Sequence, residues 1–83
     1  LISEVYPNPA SAITVIRLDL PSKAPVNLTL QDMLGRTVSE IYNGTLVQGK
    51  HKFFMDAANY TAGSYTITVT SGNQRFSQKL MIR

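Results

Sequence analysis

At 83 residues the chain has room for one small domain, and with 43% of its residues apolar it carries enough to fill a core rather than stay disordered. The absence of Cys excludes a disulfide and a thiolate zinc site, and no apolar run approaches the ~20 residues of a membrane-spanning helix. The formal charge of +3 comes from scattered cations with no run among them and no interleaved aromatic series, a pattern of solvated surface rather than of nucleic-acid binding.

The elements follow one another as short strands. Ile2–Tyr6 reads as an edge strand running into Pro7-Asn8-Pro9, where two prolines fix φ and push the residues before them into extended conformations. Ala12–Leu20 is the second strand. Ile13 and Val15 fall on one parity and Ile16, Leu18 and Leu20 on the other, which predicts either a bulge near Val15 or a strand start buried on both faces. Pro21–Pro25 closes a turn, and Val26-Asn27-Leu28-Thr29-Leu30 then alternates without a break. The alternation stops at Asp32, followed three residues later by Gly35. Asp can hydrogen-bond the amides just ahead of it and Gly can take a positive φ, so a tight hairpin corner is expected before Arg36 and the returning strand Thr37–Tyr42.

Asn43-Gly44 carries a type I′ turn signal, and Gln48-Gly49 a second turn beyond the short apolar segment Leu46-Val47. Lys50–Asp56 alternates again, with His51, Phe53 and Met55 on one side. Ala57–Gly63 reads as an irregular corner. Ser64–Thr70 points Tyr65, Ile67 and Val69 inward and Ser64, Thr66, Thr68 and Thr70 outward. Ser71-Gly72-Asn73 turns the chain into Arg75–Ile82, where Phe76, Leu80 and Ile82 share the inner face, while Ser77, Lys79, Met81 and Arg83 share the outer one. No window sustains apolar spacing of three and four residues, so essentially no helix is expected. Short strands with frequent turn signals predict an all-β antiparallel sandwich or small barrel of about seven strands, with Leu28, Leu30, Phe53, Tyr65, Ile67, Val69 and Leu80 buried.

Catalytic machinery does not assemble from this inventory. The single His, His51, lies between Lys50 and Lys52 on an apolar parity, the place of a packed edge residue rather than a general base. The acids Glu4, Asp19, Asp32, Glu40 and Asp56 are dispersed, without metal-ligand or paired-carboxylate spacing, and Asp32 and Asp56 each end a strand as turn caps do. Gly35 and Gly63 precede no helix and so belong to no phosphate loop. Neither an enzyme nor a cofactor is expected. Three Asn-X-Thr triplets, at Asn27, Asn43 and Asn59, follow from a Thr-rich β composition. Because Leu1 is not an initiator Met and the chain enters a strand pattern almost at once, it is expected to be a piece of a longer protein. Lys79–Arg83, with no polar tail behind it, suits a C-terminus docked in the fold.

Five patterns follow one another along nearly the whole chain: Tyr6-Pro7-Asn8-Pro9, Leu30-Gln31-Asp32-Met33-Leu34-Gly35-Arg36, Gly49-Lys50-His51, Gly63-Ser64-Tyr65, and the closing Lys79-Leu80-Met81-Ile82-Arg83. Each is weak alone. Together they resemble the C-terminal sorting domain of proteins exported by the type IX (Por) secretion system of Bacteroidetes. Tyr60, Thr61 and Ser64 depart from residues common in that family.

The resemblance implies one Ig-like sandwich over residues 1–83, appended to a secreted passenger. It implies passage through the periplasm, recognition by the outer-membrane machinery, and removal by a sortase-type peptidase cutting just before the domain. The passenger then stays at the cell surface or outside the cell. It implies structural roles for Pro7, Asn8, Pro9, Leu30, Asp32, Gly35, Arg36, Gly49, Gly63, Tyr65, Leu80 and Ile82. The outward residues Lys79, Met81 and Arg83 are the expected contacts of the machinery, since they lie on the strand whose free end is fixed relative to the fold. Membrane insertion of the domain is not expected, and self-association is left open. The competing reading is an Ig-like carbohydrate-binding, adhesive or spacer module of an extracellular hydrolase, which would share the fold. Against it, the chain has no Trp, and Phe53, Tyr65 and Phe76 fall on inward parity, which leaves Phe54, with Tyr42 or Tyr60, for the outside.

Overall fold

Period-two alternation resolves into seven strands. The computed structural model describes Leu1–Arg83, apart from the Ser3 side chain. The strands are β1 (Ile2–Tyr6), β2 (Ile13–Leu20), β3 (Ala24–Gln31), β4 (Thr37–Leu46), β5 (Gly49–Asp56), β6 (Gly63–Ser71) and β7 (Gln74–Ile82), with one 3-10 turn at Ala57–Asn59. A three-stranded sheet ordered β1-β2-β5 faces a four-stranded sheet ordered β4-β3-β6-β7, and every strand pair is antiparallel. This is an Ig-like β-sandwich.

The core lies between the sheets. Ile16, Leu18 and Leu20 of β2 and Met55 of β5 meet Val26, Leu28 and Leu30 of β3, Ile67 and Val69 of β6, and Leu80 and Ile82 of β7. The 3-10 turn closes one end, with Asp56 Oδ1 accepting the Ala58 N–H and Ala57 N–H donating to the Ala12 carbonyl.

Four local expectations are corrected. β2 pairs with β5 in unbroken register from Ile13 to Leu20, so no bulge lies at Val15. Thr14 takes the first inward position and is fully buried, while Ile13 is left outside. Asn43-Gly44 is no turn. It continues β4, with Asn43 opposite Asn27 and Gly44 opposite Val26. Gly44 serves the Tyr42 ring, because a Cβ there would come within 2.8 Å of the phenol oxygen. Phe53 and Tyr65 are half-buried rather than buried. They sit at the rim of the core, against Tyr42 and Tyr60 respectively. Thr68, expected outside, is buried on the outer face of the larger sheet, where it stands opposite Thr29 and its hydroxyl donates to Gln31 Oε1 at 3.2 Å.

Leu30 and Ile67 are direct cross-strand partners and both are fully buried. Replacing either with Ala is expected to cost about 2–5 kcal/mol in urea unfolding, the range for a large aliphatic leaving a cavity. A loss below ~1 kcal/mol would contradict this packing.

Candidate functional site

The corner between β3 and β4 is held almost entirely by one carboxylate. Asp32 Oδ1 accepts the backbone N–H of Leu34 (2.9 Å) and of Arg36 (3.0 Å), and Oδ2 accepts Arg36 Nε (3.0 Å). The Asp32 N–H donates to the Arg36 carbonyl and the Gly35 N–H to the Asp32 carbonyl, which closes the loop on itself. Gly35 stands at φ +81° with nothing near the position of a Cβ, so the backbone angle alone demands glycine. Partial desolvation of the Asp32 carboxyl pulls its pKa upward. The N–H groups of Arg36 and Leu34 and the Arg36 guanidinium outweigh that pull, and the group titrates below its ordinary value. With the Leu34, Gly35 and Arg36 N–H groups all turned toward Asp32, the apolar side chains of Met33 and Leu34 are left 79% and 78% exposed.

The terminal strand is tied by the other end of the chain. β7 is the last strand of its sheet, and its C-terminal half would otherwise show an unpaired edge. Asn8 fills part of that edge with its side chain. Nδ2 donates to the Lys79 carbonyl (3.1 Å) and Oδ1 accepts the Met81 N–H (3.0 Å), as a peptide group of a neighbouring strand would. The ladder continues in backbone form: Ala10 N–H donates to the Met81 carbonyl and Arg83 N–H to the Ala10 carbonyl, each at 2.8 Å. An Asp at this position could not donate, and a Gln would sit one methylene too far out. Pro7 and Pro9 flank the Asn as exposed residues, and both preceding peptide bonds are cis. Leu80 and Ile82 point into the core, so Lys79, Met81 and Arg83 point outward and are exposed.

Sheet register brings these features to one end of the sandwich. Gln31 stands opposite Thr66, which stands opposite Lys79, and Ser64 stands opposite Met81. The Asp32–Arg36 corner, the start of β6 and the end of β7 therefore share a rim. Between the corner and Thr61–Tyr65 runs an open groove of about 240 Å³, lined on the β6 side by Gly63, Ser64 and Tyr65, and the Tyr65 hydroxyl donates to the Thr61 carbonyl. Met33, Leu34 and Met81 supply exposed apolar surface on this rim, and Arg36, Lys79 and Arg83 supply cations. Gly49 does not join them. It opens β5 at the opposite end, beside Leu20. Strand parity foretells the outward facing of Lys79, Met81 and Arg83 but not the exposure of Met33 and Leu34. The available signal was two large apolar residues set between an Asp cap and a turn Gly, where no core can reach them.

The sequence model of the secretion system C-terminal sorting domain family matches residues 4–83. No curated protein matches the chain.

The Asp32 carboxyl has a folded pKa below its unfolded value, so its stabilising contribution is whole above the unfolded value of ~3.9 and is lost as pH falls through the lower folded value. An Asp32→Asn variant is expected to melt below the parent at pH 7, with the gap narrowing as the pH is taken under about 4. Thermal melts across that range check it; a gap independent of pH would show that the charge of Asp32 contributes nothing.

Proposed function

The chain belongs to the secretion system C-terminal sorting domain family, and from that premise we propose that the rim formed by Lys79, Met81 and Arg83, with Met33 and Leu34 beside them, is the surface that type IX machinery reads. The observation that carries this reading is the locked terminal strand. Its inward residues are fixed by the core and its edge by Asn8 and Ala10, so its outward side chains leave the sheet from fixed backbone positions. A backbone already held in place loses little freedom on docking, and apolar anchors among cations are the composition of a binding patch rather than of a merely solvated face.

The position of the rim supports the same role. Leu1 lies beside Asp19, whose N–H donates to the Leu1 carbonyl, at the end that also holds the Leu20–Ala24 and Leu46–Gly49 connections. Arg83 lies at the other end of a sandwich 35 Å in longest extent. A passenger joined ahead of Leu1 would leave the rim clear for the machinery, and a sortase-type peptidase could reach the joining segment without entering the fold. In this reading residues 1–83 act as one transferable unit. It passes through the periplasm with its passenger, is recognised at the outer membrane and is removed there, leaving the passenger at the surface.

The test replaces Lys79, Met81 and Arg83 together with Ser and leaves Leu80 and Ile82 untouched. Circular dichroism is expected to show a folded domain, while surface delivery of the passenger falls by at least ~10-fold, as loss of a binding anchor worth about 1.4 kcal/mol or more would cause. Accumulation of the uncleaved passenger in the periplasm is the accompanying result. Normal delivery and trimming by a folded triple variant would remove β7 from the recognition surface.

A further inference from the structure

The outer face of the three-stranded sheet carries a feature that the sorting role does not use. Register places Tyr6 of β1, Val15 of β2 and Phe54 of β5 side by side in one row across all three strands. Tyr6 is 37% exposed, Phe54 62%, and Ile13, next along β2, 56%. Adjacent strands lie about 4.8 Å apart, so the row is an apolar strip roughly 10 Å long, on a face that nothing in the fold covers.

The charges around the strip point to its occupant. The outward ionisable residues of this sheet are Arg17, Lys50 and Lys52 against Glu4, Asp19 and Asp56, three of each sign. The remaining charged residues are five cations (Lys23, Arg36, Arg75, Lys79, Arg83) and two anions (Asp32, Glu40), so the whole net charge of +3 lies elsewhere on the molecule. A face that served an anionic surface would hold the excess cations; this one is neutral. Five of these six charges lie on the Arg17 side of the Tyr6–Val15–Phe54 row and Asp56 on the other, so β5 alone carries opposite charges on its two sides. Along β5, Lys52, Phe54 and Asp56 follow one another on the outward side, each about 7 Å from the next. A two-fold axis lying along the Tyr6–Val15–Phe54 row stacks that row on its own copy. The same operation carries Lys52 of each chain over Asp56 of the other, and the Arg17 stem over Ile13. Asp56 Oδ1 is engaged with the Ala58 N–H, which leaves Oδ2 to meet the ammonium.

We propose that the outer face of the β1-β2-β5 sheet is a self-complementary interface through which two copies of this chain associate face to face, Phe54 and Tyr6 forming its centre and Lys52–Asp56 pairs its flanks. The strip is small for an interface, so the dimer is weak, with a Kd on the order of 100 µM. It leaves the Lys79–Met81–Arg83 rim free, because that rim faces outward from the other sheet. The inference stands independently of the sorting role.

Sedimentation equilibrium of the 83-residue chain between about 10 µM and 1 mM tests it. The expected result is a monomer–dimer equilibrium that Phe54→Ser weakens at least ~10-fold with the circular dichroism spectrum unchanged. The flanking pairs are tested by a double-mutant cycle of Lys52→Asp and Asp56→Asn, the latter keeping a side chain that can still cap the 3-10 turn. Within one chain the two positions are about 13 Å apart on one strand and uncoupled. Lys52→Asp alone should weaken the dimer by like-charge repulsion, and adding Asp56→Asn should recover part of that loss. A chain that stays monomeric at ~1 mM, a dimer indifferent to Phe54→Ser, or a cycle with no coupling would each overturn the proposal. So would a monomer whose Tyr6 and Phe54 ring resonances shift on addition of a soluble polysaccharide, which would give the face to a glycan.

Discussion

Four hydrogen bonds between residues 8–10 and residues 79–83 close the sandwich, and the other features of the molecule depend on that closure. Without them β7 would be an edge strand attached on one side only, free to fray from its C-terminal end. With them, Leu80 and Ile82 are held in the core from both directions, and the outward side chains between and beyond them acquire a fixed aim. The tie also explains an otherwise odd pairing of sequence features. A loop of two prolines around an Asn at one end and an apolar strand at the other are separated by more than seventy residues, yet they are two halves of one structural device.

Each of the other edges is blunted in its own way. β4 pairs with β3 through two register shifts, between Leu28 and Thr29 and between Leu30 and Gln31, which interrupt the regular pleat. β5 carries Lys50 and Lys52, and β1 has a register shift between Ile2 and Glu4. A domain whose edges are guarded resists indiscriminate strand pairing and offers partners its faces and its ends. Here the faces differ. The rim at the Arg83 end is rigid, basic and apolar at its tips, whereas the outer face of the smaller sheet is neutral with an aromatic strip.

Much of this was legible in the residues because period-two alternation is a direct reading of inward and outward facing. Val26–Leu30 and Ser64–Val69 gave their strands, their parity and most of the core, and Asp32 and Gly35 gave the corner. The failures have physical causes. Asn43-Gly44 reads as a turn by local preference, but pairing with β3 and the seat of the Tyr42 ring override that preference. Thr14 is inward although polar, because β2 keeps its register with β5 and its hydroxyl finds the Ala12 carbonyl at 3.2 Å. The outward aim of Lys79, Met81 and Arg83 followed from parity. The exposure of Met33 and Leu34 and the Asn8 clasp did not, since the first depends on how a carboxylate folds a loop and the second on a contact across the whole chain.

The closure can be examined most directly by native-state hydrogen exchange at the Ala10, Met81 and Arg83 amides, the three backbone donors of the tie. If the account is right, these amides exchange only with the global unfolding of the domain, at the level of Ile67 and Val69 in the centre of the sheet, and Asn8→Ala lowers the protection of Met81 first. Exchange of Met81 and Arg83 at the rate of a fraying terminus, with the rest of β7 protected, would contradict it.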